Sequence, residues 1–235
     1  QKATSCDADI VFCGCDRVDP SGEVQLPYDE RFRYIEGAAS GSQSILGMLQ
    51  RTIWVCACSG LYQKRFLDEN GLRFTDGCTG GEDIEFIVKA MFHSKRVVSV
   101  SEVLSYYVQR PKDRSIEFDV LKQRQLDAVA AHYRIVNYLE QHCADDRLVM
   151  TMKSYVTRWF IPSVIASLLV NGGSVREIMS AVKDAGEVGD VSADTDYGWL
   201  PSWKSKVLVA VGNWLLDSSP RLFCWAARLR HALRM

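Results

Sequence analysis

No run of about eighteen apolar residues occurs in the 235 residues, so these residues contain no transmembrane helix. The chain also lacks a surplus of charge. Its 28 Lys and Arg stand against 29 Asp and Glu, a balance that argues against a broad nucleic-acid-binding surface. Eight cysteines are present, but none has the two-residue gap of a zinc knuckle. Cys13-x-Cys15 and Cys56-x-Cys58 instead have the period of alternating strand positions. They are expected to be reduced thiols of a cytoplasmic protein, because a chain this long can build its core without disulfides. A secreted disulfide fold is the other reading. A start methionine, a signal peptide, internal repeats and low-complexity segments are all missing. Gln1 to Asp7 reads as the tail of a helix entering a strand, and the expectation is of a fragment.

What is present divides into two patterns. Ala8 to Cys15 is a short, nearly continuous apolar run, as expected of a strand buried on both faces in an α/β sheet. Asp19-Pro20-Ser21-Gly22 is a turn signal, and Glu23 to Leu26 would return as a hairpin strand. Residues 28 to 50 are first charged and then Gly/Ser-rich, with a short helix over Ser44 to Gln50, and read equally as a loop over a site or a connector. Trp54 to Cys58 approaches a strand, and Ser59 to Phe66 reads as strand followed by helix start. From Phe118 the pattern is helical. Leu126, Val129, Tyr133, Val136 and Leu139 form one stripe, and a second runs from Leu148 to Leu168 with a kink at Pro162. Asn171-Gly172-Gly173 stops that helix, and Ser174 to Glu177 is a capping box opening another. His132 and His142 read as packing or surface residues.

The centre of the chain is Gly81-Glu82-Asp83-Ile84-Glu85-Phe86. A glycine-rich turn (Gly77, Gly80, Gly81) precedes the two carboxylates, and Ile84, Ile87, Val88 and Met91 follow at helical spacing. Glu82 and Asp83 therefore open a helix, where free N–H groups and the dipole favour negative charge. Taken alone, the pair is an ordinary acidic first turn. Two β-rich runs follow, Val97 to Val100 and Val103 to Val108. After them Arg110 to Ser115 form a basic, polar loop able to reach an anion.

Several linked motifs in order give this region a resemblance. Trp54, Ser59 to Leu67, Glu69 to Phe74, Gly81-Glu82-Asp83, Tyr106-Tyr107, Arg110 and Ser115 resemble the acceptor half of a family 2 glycosyltransferase with the GT-A fold, over about residues 8 to 117. The resemblance implies an α/β chain. Residues 1–117 would be an incomplete GT-A-like mixed sheet, the acceptor-side half, and residues 118–235 a helical C-terminal region. It implies Asp83 as the catalytic base, with Glu82, Trp54, Arg110 and Ser115 binding substrates. Glu82 would orient the acceptor, Trp54 would line its pocket, and Arg110 with Ser115 would grip a diphosphate. Without the family, Trp54 reads as core and Arg110 as a solvated loop charge.

The resemblance further implies a nucleotide-sugar donor, a saccharide or lipid-linked acceptor, and a divalent cation, Mg or Mn, for the complete enzyme. The Asp-x-Asp ligands of that cation are expected in an absent nucleotide-binding half. Asp7-Ala8-Asp9 has the right letters but begins a buried strand, and no histidine lies between Val97 and Ser115 to add a ligand. The fragment alone is therefore expected to be inactive. A different class of reading is a non-catalytic helical or membrane-docking module on a degenerate transferase fold.

The C-terminus carries two amphipathic stretches. Val207, Leu208, Val211, Trp214 and Leu215 form one stripe, and Leu222, Trp225, Ala226, Leu229 and Leu233 a second after Ser219-Pro220. Six basic residues against Asp217 give 204–235 a net charge of +5. The stripes read either as packing surfaces or as a peripheral contact with an anionic membrane at its inner face.

Overall fold

The structure is a computed structural model. It describes residues 2–109 and 118–186, with scattered single positions between 212 and 227. The chain separates into two compact units, residues 1–76 with 82–115, and residues 77–81 with 116–235. Arg110, Ser115 and most of 204–235 lie outside the described residues.

The first unit is mixed α/β. A short helix α1 (Lys2–Ser5) leads into β1 (Ile10–Val18), the spine of a four-stranded sheet completed by β2 (Val24–Leu26), β3 (Gly60–Tyr62) and β4 (Val97–Val108). β4 runs parallel to β1 along its whole length. β3 pairs antiparallel with the start of β1, and β2 antiparallel with its end. Ile10, Val11 and Phe12 are all buried, as their uninterrupted apolar run demands.

Two boundaries differ from expectation for identifiable reasons. β1 begins at Ile10 rather than Ala8 because the Asp9 carboxylate is engaged elsewhere. Its Oδ2 accepts hydrogen bonds from Ser94 Oγ (3.2 Å), Lys95 N (2.8 Å) and Arg96 N (3.1 Å), closing the turn that leads into β4. The two β-rich runs of residues 97 to 108 form a single strand. While β1 advances two residues from Phe12 to Gly14, β4 advances four from Ser99 to Val103, so the polar Ser101-Glu102 step is absorbed as a bulge.

Helix α2 (Gly41–Leu49) starts three residues before the expected Ser44, because Ser40 and Gln43 form a reciprocal capping box. Gly41 is needed there for space: a Cβ would stand 1.6 Å from the Met91 carbonyl oxygen. Helix α3 (Lys64–Glu69) follows β3, and α4 (Glu82–His93) precedes β4. α4 buries Phe86, Ile87, Val88, Ala90 and Met91. Full burial of each large side chain is worth about 1.5–3 kcal/mol, so the helix and the carboxylates on its first turn are firmly placed.

The second unit is helical: α5 (Phe118–His142), α6 (Asp146–Tyr155), α7 (Ile161–Val170) and α8 (Val175–Asp184). Val129, Tyr133, Val164, Leu168, Ile178 and Val182 share its core. The kink expected at Pro162 takes the form of a π-helical segment, Val156–Phe160, between α6 and α7. Proline has no N–H and its ring crowds the carbonyl four residues earlier, which the wider segment accommodates. Ser174 caps α8 by accepting from Glu177 N, while the Glu177 carboxylate pairs with Lys122 on α5. His132 is buried, its Nδ1 2.7 Å from the Ala128 carbonyl oxygen and its ring stacked on Phe160. Gly77–Gly81 belong to this unit. Thr79 donates through N and Oγ1 to Asp127 Oδ2, and a Cβ on Gly80 would reach within 2.1 Å of the Arg124 carbonyl oxygen. Among the described residues, no helix is long and apolar enough to cross a membrane.

Candidate active site

Gly81 has φ +81°, a left-handed conformation that suits glycine, and the chain turns there directly into α4 at Glu82. The first turn of this helix is acidic at Glu82, Asp83 and Glu85, and the three carboxylates occupy different environments. Asp83 is exposed, with Oδ1 2.8 Å from Ile84 N. Glu82 is half-buried, and its Oε2 is shielded from solvent without a hydrogen-bond partner. Glu85 is buried and paired with Lys89 at 2.6 Å. One carboxylate is therefore engaged in an ion pair within the helix, one is accessible, and one is half-buried with an unsatisfied oxygen.

Tyr62, at the end of β3, packs against Phe86, just past this turn. Its ring meets Phe86 edge-on at 5.2 Å, and Phe74 stacks on Phe86 at 4.4 Å. The Tyr62 hydroxyl is also shielded and without a partner. Burial first, then the charges of Cys56, Cys58 and Asp83, hold its pKa well above that of an ordinary tyrosine, so it remains a neutral O–H at working pH. The sequence pattern assigned Tyr62 no role. The only signal was Gly60 two residues earlier, where a tyrosine folding back over its own strand needs room.

Trp54 sits in the segment between α2 and β3. Its carbonyl accepts from the Tyr28 hydroxyl at 3.0 Å, its N–H donates to the same oxygen at 3.3 Å, and its ring stacks with Phe32. Nearby, burial pushes the Cys56 thiol up to about 12, and the neighbouring Cys15 and Cys58 thiols add to this.

The expectation for the second cysteine pair needs correction. Cys56 and Cys58 do not alternate along a strand, because Ala57–Ser59 form a 3₁₀ turn. The Ser59 hydroxyl creates it, accepting from Cys56 N at 3.1 Å and donating to the Cys56 carbonyl at 3.0 Å. Cys13 and Cys15 do lie on β1. All seven described cysteines are free thiols. Among the described residues, no group of three or more His, Cys, Asp or Glu is arranged to hold a metal ion, and Asp9 is committed to the turn into β4. A groove of about 420 Å³ in the helical unit, lined by Leu121, Gln125, Phe160 and Ser167 among others, contains none of the expected site residues.

No protein-family model matches the chain, and no curated protein matches it. Solved structures do. One is TarS 1–349 from S. aureus in complex with UDP-GlcNAc, at a TM-score of 0.37 and 13% identity, covering 78% of this chain and 58% of that one. Another structure of S. aureus TarS matches at 0.35 and 12%, covering 76% of this chain and 31% of that one. The chain spans less than two thirds of either.

Proposed function

We propose that the chain carries the acceptor side of an inverting, family 2-like glycosyltransferase that moves a sugar from a nucleotide-diphosphate donor to a hydroxyl of a saccharide or glycolipid. The observation that carries this reading is the division of labour on the first turn of α4: an exposed Asp83 on a helix held in place by its buried Phe86, Ile87, Val88 and Met91, with Glu82 beside it.

In this reading Asp83 takes the proton of the acceptor hydroxyl as its oxygen attacks the anomeric carbon, and the bond from that carbon to the diphosphate breaks. Glu82 accepts a hydrogen bond from the acceptor and orients it. Arg110 and Ser115 receive the charge that develops on the departing diphosphate, a task suited to a guanidinium fork and a hydroxyl. Trp54 contributes an apolar wall. The resemblance implies a divalent cation, but the described residues do not form its site, so no step here passes through one.

The test is Asp83→Asn in the protein that turns over. The amide is nearly isosteric but cannot take the proton, so turnover should fall by about 10²- to 10⁴-fold with donor affinity nearly unchanged. Near-normal turnover in that variant would remove Asp83 from the role of base.

A further inference from the structure

The residue that precedes α4 is Gly81, which has no side chain to accept from the free N–H groups of the first turn. Glu82 and Asp83 sit on that turn, so the place of their carboxylates depends on how the chain enters it. The entry is tied down along α5. Asp127 Oδ2 accepts from Thr79 N (3.0 Å) and Thr79 Oγ1 (2.5 Å), and its Oδ1 accepts from Gln123 Nε2 one turn back (2.8 Å). Arg124 Nε donates to the Thr79 carbonyl at 3.4 Å, and the Cys78 thiol donates to the Gly80 carbonyl at 3.2 Å.

The two glycines bring the turn against the backbone of α5. A Cβ on Gly80 would stand 2.1 Å from the Arg124 carbonyl oxygen, and one on Gly81 would stand 2.9 Å from Ala128 Cα. Arg124, Asp127 and Ala128 are three and four residues apart and share one face of the helix, so a single stripe of α5 receives Thr79, Gly80 and Gly81. All of these contacts lie within the helical unit. The next peptide bond carries the chain into α4. Burial alone would raise the Asp127 pKa, but the bonds from Thr79 and Gln123 outweigh it and hold the carboxyl below its ordinary value. The acceptor is therefore charged at neutral pH, which strengthens the bonds it receives.

We propose that Asp127 is a positioning residue for the transfer reaction: through Thr79 it fixes the entry of α4 and so the place of Asp83. The helical unit then supports the turn that delivers the base. This rests on the reading of Asp83 as the base.

The experiment has two readouts. By hydrogen exchange with mass spectrometry, Asp127→Ala should speed exchange of the amides over residues 79–85 by about tenfold, the worth of one such hydrogen bond, while those of β4 keep their wild-type rates. Asp127→Asn keeps an accepting oxygen for Thr79 and should restore slow exchange. Gly80→Ala, which lifts the turn from α5 and leaves Asp127 in place, should reproduce the Asp127→Ala result. In the protein that turns over, Asp127→Ala should lower kcat by about 10²-fold through misplacement of the base. The double variant with Asp83→Asn should then be no slower than Asp83→Asn alone, because both changes act through one carboxylate.

Unchanged exchange over 79–85 in Asp127→Ala and Gly80→Ala overturns the proposal. So do losses of kcat that multiply in the double variant, the result expected of a residue that serves only the stability of the helical unit. Near-normal turnover of Asp83→Asn alone removes the base reading instead, and the exchange data separate that failure from failure of the Asp127–Thr79 clamp.

Discussion

Gly60 lies directly under the ring of Tyr62. A Cβ at Gly60 would stand 2.7 Å from both Cε2 and the hydroxyl oxygen of Tyr62. The glycine backbone itself is ordinary, with φ −104° and ψ 139°, so the residue is required for space and not for conformational freedom. Gly60→Ala should therefore act entirely through the ring, costing about 1–3 kcal/mol as overpacking does. Denaturant melts of a double-mutant cycle check this: with Tyr62→Ala in the background, the cost of Gly60→Ala should largely vanish.

Much of this arrangement was legible beforehand. α4 and its acidic opening follow from the spacing of Ile84, Ile87, Val88 and Met91, which is local information. The misplaced start of β1 and the turn at Cys56 were not legible, because each is decided by one polar side chain choosing a partner. Asp9 bonds backbone groups more than 80 residues away, and the Ser59 hydroxyl outcompetes a strand ladder at Cys56. Tyr62 was hidden for the same reason: its significance lies in a contact with Phe86 and in a bond it does not make.

Asp9 supports a second prediction, which separates a structural carboxylate from a metal ligand. Its Oδ2 accepts from two backbone N–H groups and one hydroxyl. Bonds to a charged acceptor are worth about 1.5–3 kcal/mol, so Asp9→Ala should lose at least that much stability by chemical denaturation. Calorimetric titration with Mg or Mn should give the same result for variant and wild type. A metal role would produce the reverse, altered ion binding at unchanged stability.

Stability should also fall in alkali. Burial pushes the Tyr28 phenol up to about 12, with its hydroxyl enclosed between the Trp54 N–H and carbonyl. The unfolded phenol loses its proton near an ordinary value of about 10 while the folded one keeps it, so the unfolded state binds fewer protons in that window. The contribution is fully present below pH 10 and is lost as pH rises towards 12, up to about 2.7 kcal/mol for a two-unit shift. Urea melts at stepped pH should show this decline, and Tyr28→Phe should make it shallower, the raised Tyr34 and Tyr62 phenols supplying the rest, while lowering stability at neutral pH through the lost bonds to Trp54.

The last prediction concerns residues 204–235, of which few positions are described: Phe223 is buried in the core of the helical unit with Leu216 packed against that core, while Leu222 is exposed. Lys204, Lys206, Arg221, Arg228, Arg230 and Arg234 oppose a single Asp217, in a chain whose net charge is −1, so the remainder is acidic. Trp214 and Leu215 in one stripe, and Trp225 and Leu229 in the next, give each stretch the apolar face that an interfacial helix buries. Each basic residue near an anionic surface contributes about 1 kcal/mol, and salt screens that part of the attraction. The intact chain should therefore co-sediment with phosphatidylserine vesicles at low salt, bind them less as salt rises, and bind uncharged vesicles weakly. Deleting 204–235 should abolish the binding without unfolding the sheet unit, followed by circular dichroism. If the stripes instead pack against the protein, the intact chain will ignore anionic vesicles even at low salt and the deletion will lower the melting temperature, an outcome that assigns 204–235 to the core and ends the membrane reading.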